Sequence, residues 1–275
     1  MQKINFYFSI LCCLLVVVCV AATEAQAQTK RYQDMTDAER VAFISQQGAR
    51  LSREMTNGAQ PLAFNADAAR AVKPFVEMYS ARVGTKTRRE ELGAVIGRAR
   101  THTSVVAAAY RSNNLSPLLG IYTAFVESEY NDCLTSSYGA KGVFQIMPKT
   151  MQRYGGDPAQ LCDLKASADI AALYHAKLMR DYSSINNNGV ASSLAVLSYN
   201  QGEGTVKSEV VSRLNAGKEE ADFWSLMANP GGAKLKESLV SEGSKYVLTF
   251  YAAAIVGENP QAFGLAGAPL SNGTK

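Results

Sequence analysis

Histidine, tryptophan and charge are scarce in this chain of 275 residues, which holds two histidines, one tryptophan and 19% charged residues. His102 and His175 lie in different segments, so a zinc site lacks its ligands, and neither a metal nor a cofactor is expected. No dense Lys/Arg cluster interleaves with aromatics, and a net charge of +4 is only mildly basic; nucleic acid is not an expected partner. The densest basic group, Lys86, Arg88 and Arg89, reads as a solvated turn. The longest apolar run, Phe6 to Val20, is about 15 residues, short of the roughly 20 that a membrane-spanning helix needs. Alternating β-branched runs and an Asn-Gly hairpin signal between them are also missing, which leaves helix as the dominant element. What is abundant is apolar residues, 47% of the chain, enough for a sizeable core.

Lys3 precedes that apolar run, and small residues with the tripeptide Ala25-Gln26-Ala27 follow it, the pattern of a secretory signal peptide over residues 1–27. The expected location is exported, periplasmic or in the cell envelope. Val18 before Cys19 does not supply the small residue that a lipidated cysteine requires, which argues against a lipid anchor. Cys12, Cys13 and Cys19 would leave with the leader, so Cys133 and Cys162 remain. An oxidising compartment suggests a disulfide between them, stabilising by roughly 3 kcal/mol, with two buried free thiols as the alternative.

Capping residues and periodicity predict a series of helices. Asp37 opens one that runs to about Thr56, Asn65 or Asp67 opens another to Arg82, and Arg88 to Ala108 reads as one or two more. Ser116 as N-cap with Pro117 at the first helical position starts a helix to about Tyr130, whose apolar stripe includes Leu118, Tyr122 and Phe125. Glu127 lies off that stripe, on a face with Gly120, Thr123 and Ala124 that leaves room for another element or a ligand. Further helices are expected over Ser167 to Tyr182, with Ile170, Leu173, Tyr174 and Leu178 on one face and His175 near its border, and over Ala191 to Asn200. A buried helix is expected over Lys245 to Val256. The chain divides into a leader (1–27), an N-terminal helical region (28–110), a second unit (111–265) and a loose tail (266–275).

Two separated stretches carry the chemistry. ESEYNDCLTSSYGAKGVFQIMPKT and, some fifty residues later, LSYNQGEGTV resemble the lytic transglycosylases of glycoside hydrolase family 23. Glu127-Ser128 matches the family's Glu-Ser pair, Ser136 its following serine, Gly139-Ala140 and Gly142 its glycine pattern, and Gln145 with Met147-Pro148 the end of that segment. Tyr199-Asn200 matches its Tyr-Asn motif. DFWSL, KYV at Lys245 to Val247 and ENPQAFG resemble the membrane-bound lytic transglycosylase D branch. The chain departs from the family at Phe144, Glu129 and Tyr130, where relatives carry other residues.

The resemblance implies an all-α, lysozyme-like catalytic domain with an N-terminal helical extension, acting on peptidoglycan glycan strands; no protein partner is implied. It makes Glu127 the catalytic acid and base and Ser136, Gln145, Tyr199 and Asn200 the substrate-binding set, with Ser136 hydrogen-bonding near the acetamido group or the glutamate, Gln145 and Asn200 contacting sugar, and Tyr199 orienting Glu127. Glycoside cleavage ordinarily uses two carboxylates. Glu129 would point about 200° round the helix from Glu127, and Asp132 lies past the helix end, so neither is an obvious partner. In a single-carboxylate mechanism the substrate's own 6-hydroxyl attacks, provided that Glu127 sits in a desolvated pocket for which Phe144, Ile146 and Tyr199 are candidates. A goose-type lysozyme-like hydrolase and a non-catalytic peptidoglycan-binding protein are the alternatives.

Overall fold

A computed structural model of the chain describes residues 30–85 and 88–274; the leader and Lys86 fall outside the described residues. Side-chain oxygens open most of the longer helices by accepting their first free N–H groups. Thr36, one residue before the expected cap, forms a reciprocal capping box with Glu39 and starts α1 (Asp37–Met55). Asn65 caps α2 (Ala66–Ser80), and Glu91 caps α3 (Leu92–Arg111), a single helix. Pro117 opens α4 (Pro117–Ser128), although Ser116 makes no side-chain cap bond. That helix stops two residues before Tyr130 because Glu129 and Tyr130 both adopt left-handed backbone, φ 51° and 61°. After the short α5 (Pro148–Arg153), Asp163 caps α6 (Leu164–Asp181) three residues ahead of expectation. Asn187 caps α7 (Asn188–Gln201), and α8 (Glu203–Glu209), α9 (Glu219–Ala228) and α10 (Ser244–Glu258) follow. A π-type turn, Leu239–Gly243, leads directly into α10. The fold is all-α: among the described residues no strand forms, only the isolated bridges Thr135 to Lys141 and Lys141 to Ile146.

Apolar nearly all round, α10 runs through the centre of the molecule and packs most extensively on α2 and α4. Val72 and Val76 of α2 and Val247 and Phe250 of α10 are fully buried, each contributing roughly 1.5–3 kcal/mol. The core runs from Tyr32 to Leu270 as one cluster and crosses residue 110 without a break.

Two local expectations are corrected. Leu173 is 39% exposed, because the buried stripe of α6 passes through Ala168, Ala171, His175 and Leu178, which puts His175 inside the stripe rather than at its border. The tail is not loose up to residue 271. Arg100 Nη2 donates to the carbonyls of Ala266 and Ala268 at 2.8 and 3.0 Å, Leu270 is buried, and Ser271 donates to both oxygens of the buried Glu258 carboxylate.

Candidate active site

Glu127 sits in the last turn of α4, where the helix meets the loop running through residues 129–147. Ser128 Oγ donates to the Val143 carbonyl at 2.8 Å and ties the helix end to that loop. Gly142 fits there for two reasons: its φ is +78°, and a Cβ would overlap the Leu161 carbonyl. Cys133 and Cys162 come together at the same loop, with Cα atoms 4.8 Å apart, within disulfide range.

The Glu127 carboxyl is partly buried, and one oxygen accepts a 2.7 Å hydrogen bond from Tyr246 Oη on α10. Its pKa is pushed up from the ordinary 4.5 to about 8, chiefly by desolvation. The nearby charge of Glu242, on the π-type turn, raises it further, and the Tyr246 bond opposes both by stabilising the carboxylate. At neutral pH the group therefore holds its proton, as a general acid must. Tyr246→Phe should raise the Glu127 pKa further and lower kcat about tenfold through lost orientation, with the alkaline limb of the pH–rate profile moving upward. An unmoved limb would count against the contact.

The other expected residues divide. Tyr199 lies beside the site but does not bond Glu127: its Oη donates to the Phe144 carbonyl at 3.0 Å, and its ring stacks on His175, centroids 4.8 Å apart. His175 is fully buried; its Nδ1 meets Tyr110 Oη at 2.7 Å, and desolvation drives its pKa down to about 3, so it is neutral. Asn200 Nδ2 donates to Glu242 Oε1 at 3.0 Å, which brings Asn200 to the carboxylate whose charge reaches Glu127. Gln145 Nε2 donates to the carbonyls of Leu134 and Gly142, both at 2.9 Å, and Ser136 Oγ accepts from Ala140 N at 3.0 Å. Both of those side chains thus hold the loop's own backbone. Phe144 and Ile146 are buried. The face of Gly120, Thr123 and Ala124 lines no cleft: all three are buried, and the Tyr110 ring fills the space over Gly120.

Neither carboxylate considered from the sequence is free to assist. Glu129 is bound by Arg82, and Asp132 Oδ1 meets His102 Nε2 at 2.8 Å. Sequence reasoning missed Tyr246 and Glu242. The available signals were the KYV stretch that contains Tyr246 and an acidic residue one turn before it.

Residues 104–221 match the family model described as Transglycosylase SLT domain. Two relatives, both named Membrane-bound lytic murein transglycosylase D and coming from Escherichia coli strain K12 and Escherichia coli O6:H1, are each 25% identical over 168 residues. The match covers 61% of this chain and 34% of each relative, so the chain spans about a third of the length of the curated relatives it matches. Glu127, the loop after it and Tyr199-Asn200 fall inside the family match, whereas Tyr246 and Glu242 lie beyond its end. The segment 104–221 is thus similar to the transglycosylase SLT domain family.

Proposed function

We propose that this chain is a peptidoglycan lytic transglycosylase that cleaves the bond from N-acetylmuramic acid to N-acetylglucosamine without water. The observation that carries the reading is the protonated, desolvated Glu127 held by Tyr246 inside a transglycosylase SLT domain. Glu127 gives its proton to the bridging oxygen as the C1–O bond breaks. As a carboxylate it then takes the proton of the C6 hydroxyl while that oxygen bonds to C1, closing a 1,6-anhydro ring and restoring the acid. Tyr246 holds the carboxyl in place through both transfers. Asn200 and the loop bearing Ser136 and Gln145 contact the glycan, and Tyr199 supports the loop through Phe144. A Cys133–Cys162 disulfide fastens that loop, and the leader-like segment 1–27 directs the protein to the cell envelope, where its substrate lies.

One observation favours a second reading. Glu242 places a second carboxylate's charge near Glu127, as hydrolysis with an activated water would use. Mass spectrometry of products from purified peptidoglycan separates the two. Transglycosylation gives anhydro ends, lighter by one water than the reducing ends of hydrolysis. Reducing ends alone would establish the hydrolase, and binding without any product would establish a glycan-binding protein.

The Glu127 carboxyl also sets the pH range. Activity should hold as pH rises towards about 8 and fall above it, as the acid ionises. A rate that keeps rising above pH 9 would contradict Glu127 as the proton donor.

A further inference from the structure

The backbone immediately after Glu127 is held in an unfavourable conformation by side chains from the N-terminal helical region. Glu129 and Tyr130 are consecutive non-glycine residues in the left-handed region, an arrangement that persists only where its surroundings over-determine it. Arg82, in the turn after α2 and 2% exposed, grips the Glu129 carboxylate with two parallel bonds, Nη1 to Oε1 at 2.6 Å and Nη2 to Oε2 at 2.8 Å. Its Nε donates to the Glu90 carbonyl at 3.0 Å, which fixes the guanidinium plane. Arg98 of α3 reaches the same residue from another side: its Nε and Nη2 donate to the Glu129 carbonyl at 3.1 and 2.9 Å, while Glu90 holds Arg98 at 2.7 Å. Tyr130 Oη donates back to the Ile121 carbonyl of α4 at 2.8 Å.

We infer that Arg82 and Arg98, acting through Glu129, are positioning residues that hold the end of α4 so that the Glu127 carboxyl meets Tyr246. Helix C-termini fray, and Glu127 lies two residues before the one that is gripped. A buried ion pair is a poor source of stability compared with apolar packing, but it can specify one conformation. The turn that carries Arg82 follows α2, and α2 packs on α10, which carries Tyr246. The N-terminal helices therefore fix both partners of the Tyr246–Glu127 bond. This inference rests on the proposed function for its kinetic readout only.

Arg82→Met combined with Glu129→Gly removes both charges together and places at 129 the residue that tolerates left-handed backbone, so a loss cannot come from an unpaired buried ion or from backbone strain. The expected result is a kcat lowered about 10- to 100-fold with KM within about twofold, the signature of a misplaced catalytic group. Carbon-13 NMR of labelled glutamate should show the Glu127 titration falling from about 8 towards the ordinary range as the carboxyl swings into water. That arm needs no turnover, so it still tests the positioning if no anhydro product is found. If the double variant does not fold, Arg98→Lys, which keeps the charge and loses the two-pronged hold on the carbonyl, should give the same loss. A folded variant with kcat within twofold of the parent and an unmoved Glu127 titration would overturn the inference.

Discussion

Glu127→Gln should abolish turnover on purified peptidoglycan, lowering kcat by about 10⁴-fold with little change in glycan binding. One carboxyl is assigned both proton transfers, so its loss removes acid and base together, at the upper end of what general acid–base catalysis supplies. The same substitution should stabilise the protein, with a sign that depends on pH. The folded pKa of about 8 lies above the ordinary 4.5, so ionisation favours the unfolded chain. The carboxyl costs the fold nothing below about pH 4.5 and progressively more as pH rises through 8. Gln carries no such cost. Thermal unfolding at pH 4 should therefore find parent and variant alike, and at pH 9 the variant more stable by roughly 2–4 kcal/mol. Retained anhydro product in the variant would remove Glu127 from the mechanism, and equal stability at pH 9 would mean that its carboxyl is not desolvated.

Gly142→Ala should be the most damaging single methyl in the loop beside the site. The new Cβ would meet the Leu161 carbonyl, a backbone atom that cannot rotate aside, at a position whose φ of +78° is already unfavourable for alanine. Together these should cost about 3 kcal/mol, lowering Tm by about 10 °C. Gly139→Ala is the internal control: its φ is +87° but nothing lies within 4 Å of the added methyl, so only the backbone cost applies, about 1–2 kcal/mol. Comparable Tm losses in the two variants would show that the Leu161 contact does not matter. Because the loop gives its Val143 carbonyl to Ser128 and its Phe144 carbonyl to Tyr199, the Gly142 variant should also lose activity beyond what its stability explains.

The helices were legible because their signals are local. Asn65 and Pro117 act within one turn of themselves, and the apolar character of α10 is written in consecutive residues; Asp163 carries an equally local signal, which the expected start at Ser167 passes over. Glu127 was legible as part of an extended motif. Its hydrogen-bond partner was not, because Tyr246 is 119 residues away and only the packing of α10 against α4 brings them together. Tyr199 illustrates the opposite case: its motif is local, but its hydroxyl goes to a carbonyl of the neighbouring loop, a choice that only three-dimensional crowding makes. Leu173 failed on a face whose other expected members include the buried Ile170 and Leu178: a periodicity of about 3.6 fixes which residues share a face, not how far round the helix its buried part extends. The tail failed because composition does not reveal that Arg100 and Glu258 wait to bind it.

The single core places a limit on how portable the family-matched segment is. Residues 104–221, excised at the limits of the family match, would begin part-way through α3 and end within α9. They would lose α10, against which α4 and α7 are packed, together with the phenol that meets Glu127. Such a fragment would expose apolar surface it cannot rebury and would keep the acid without its hydrogen-bond donor. The recurring sequence unit and the cooperative folding unit are thus different objects here, and exchanging this domain between proteins would require moving the helices on both of its sides with it.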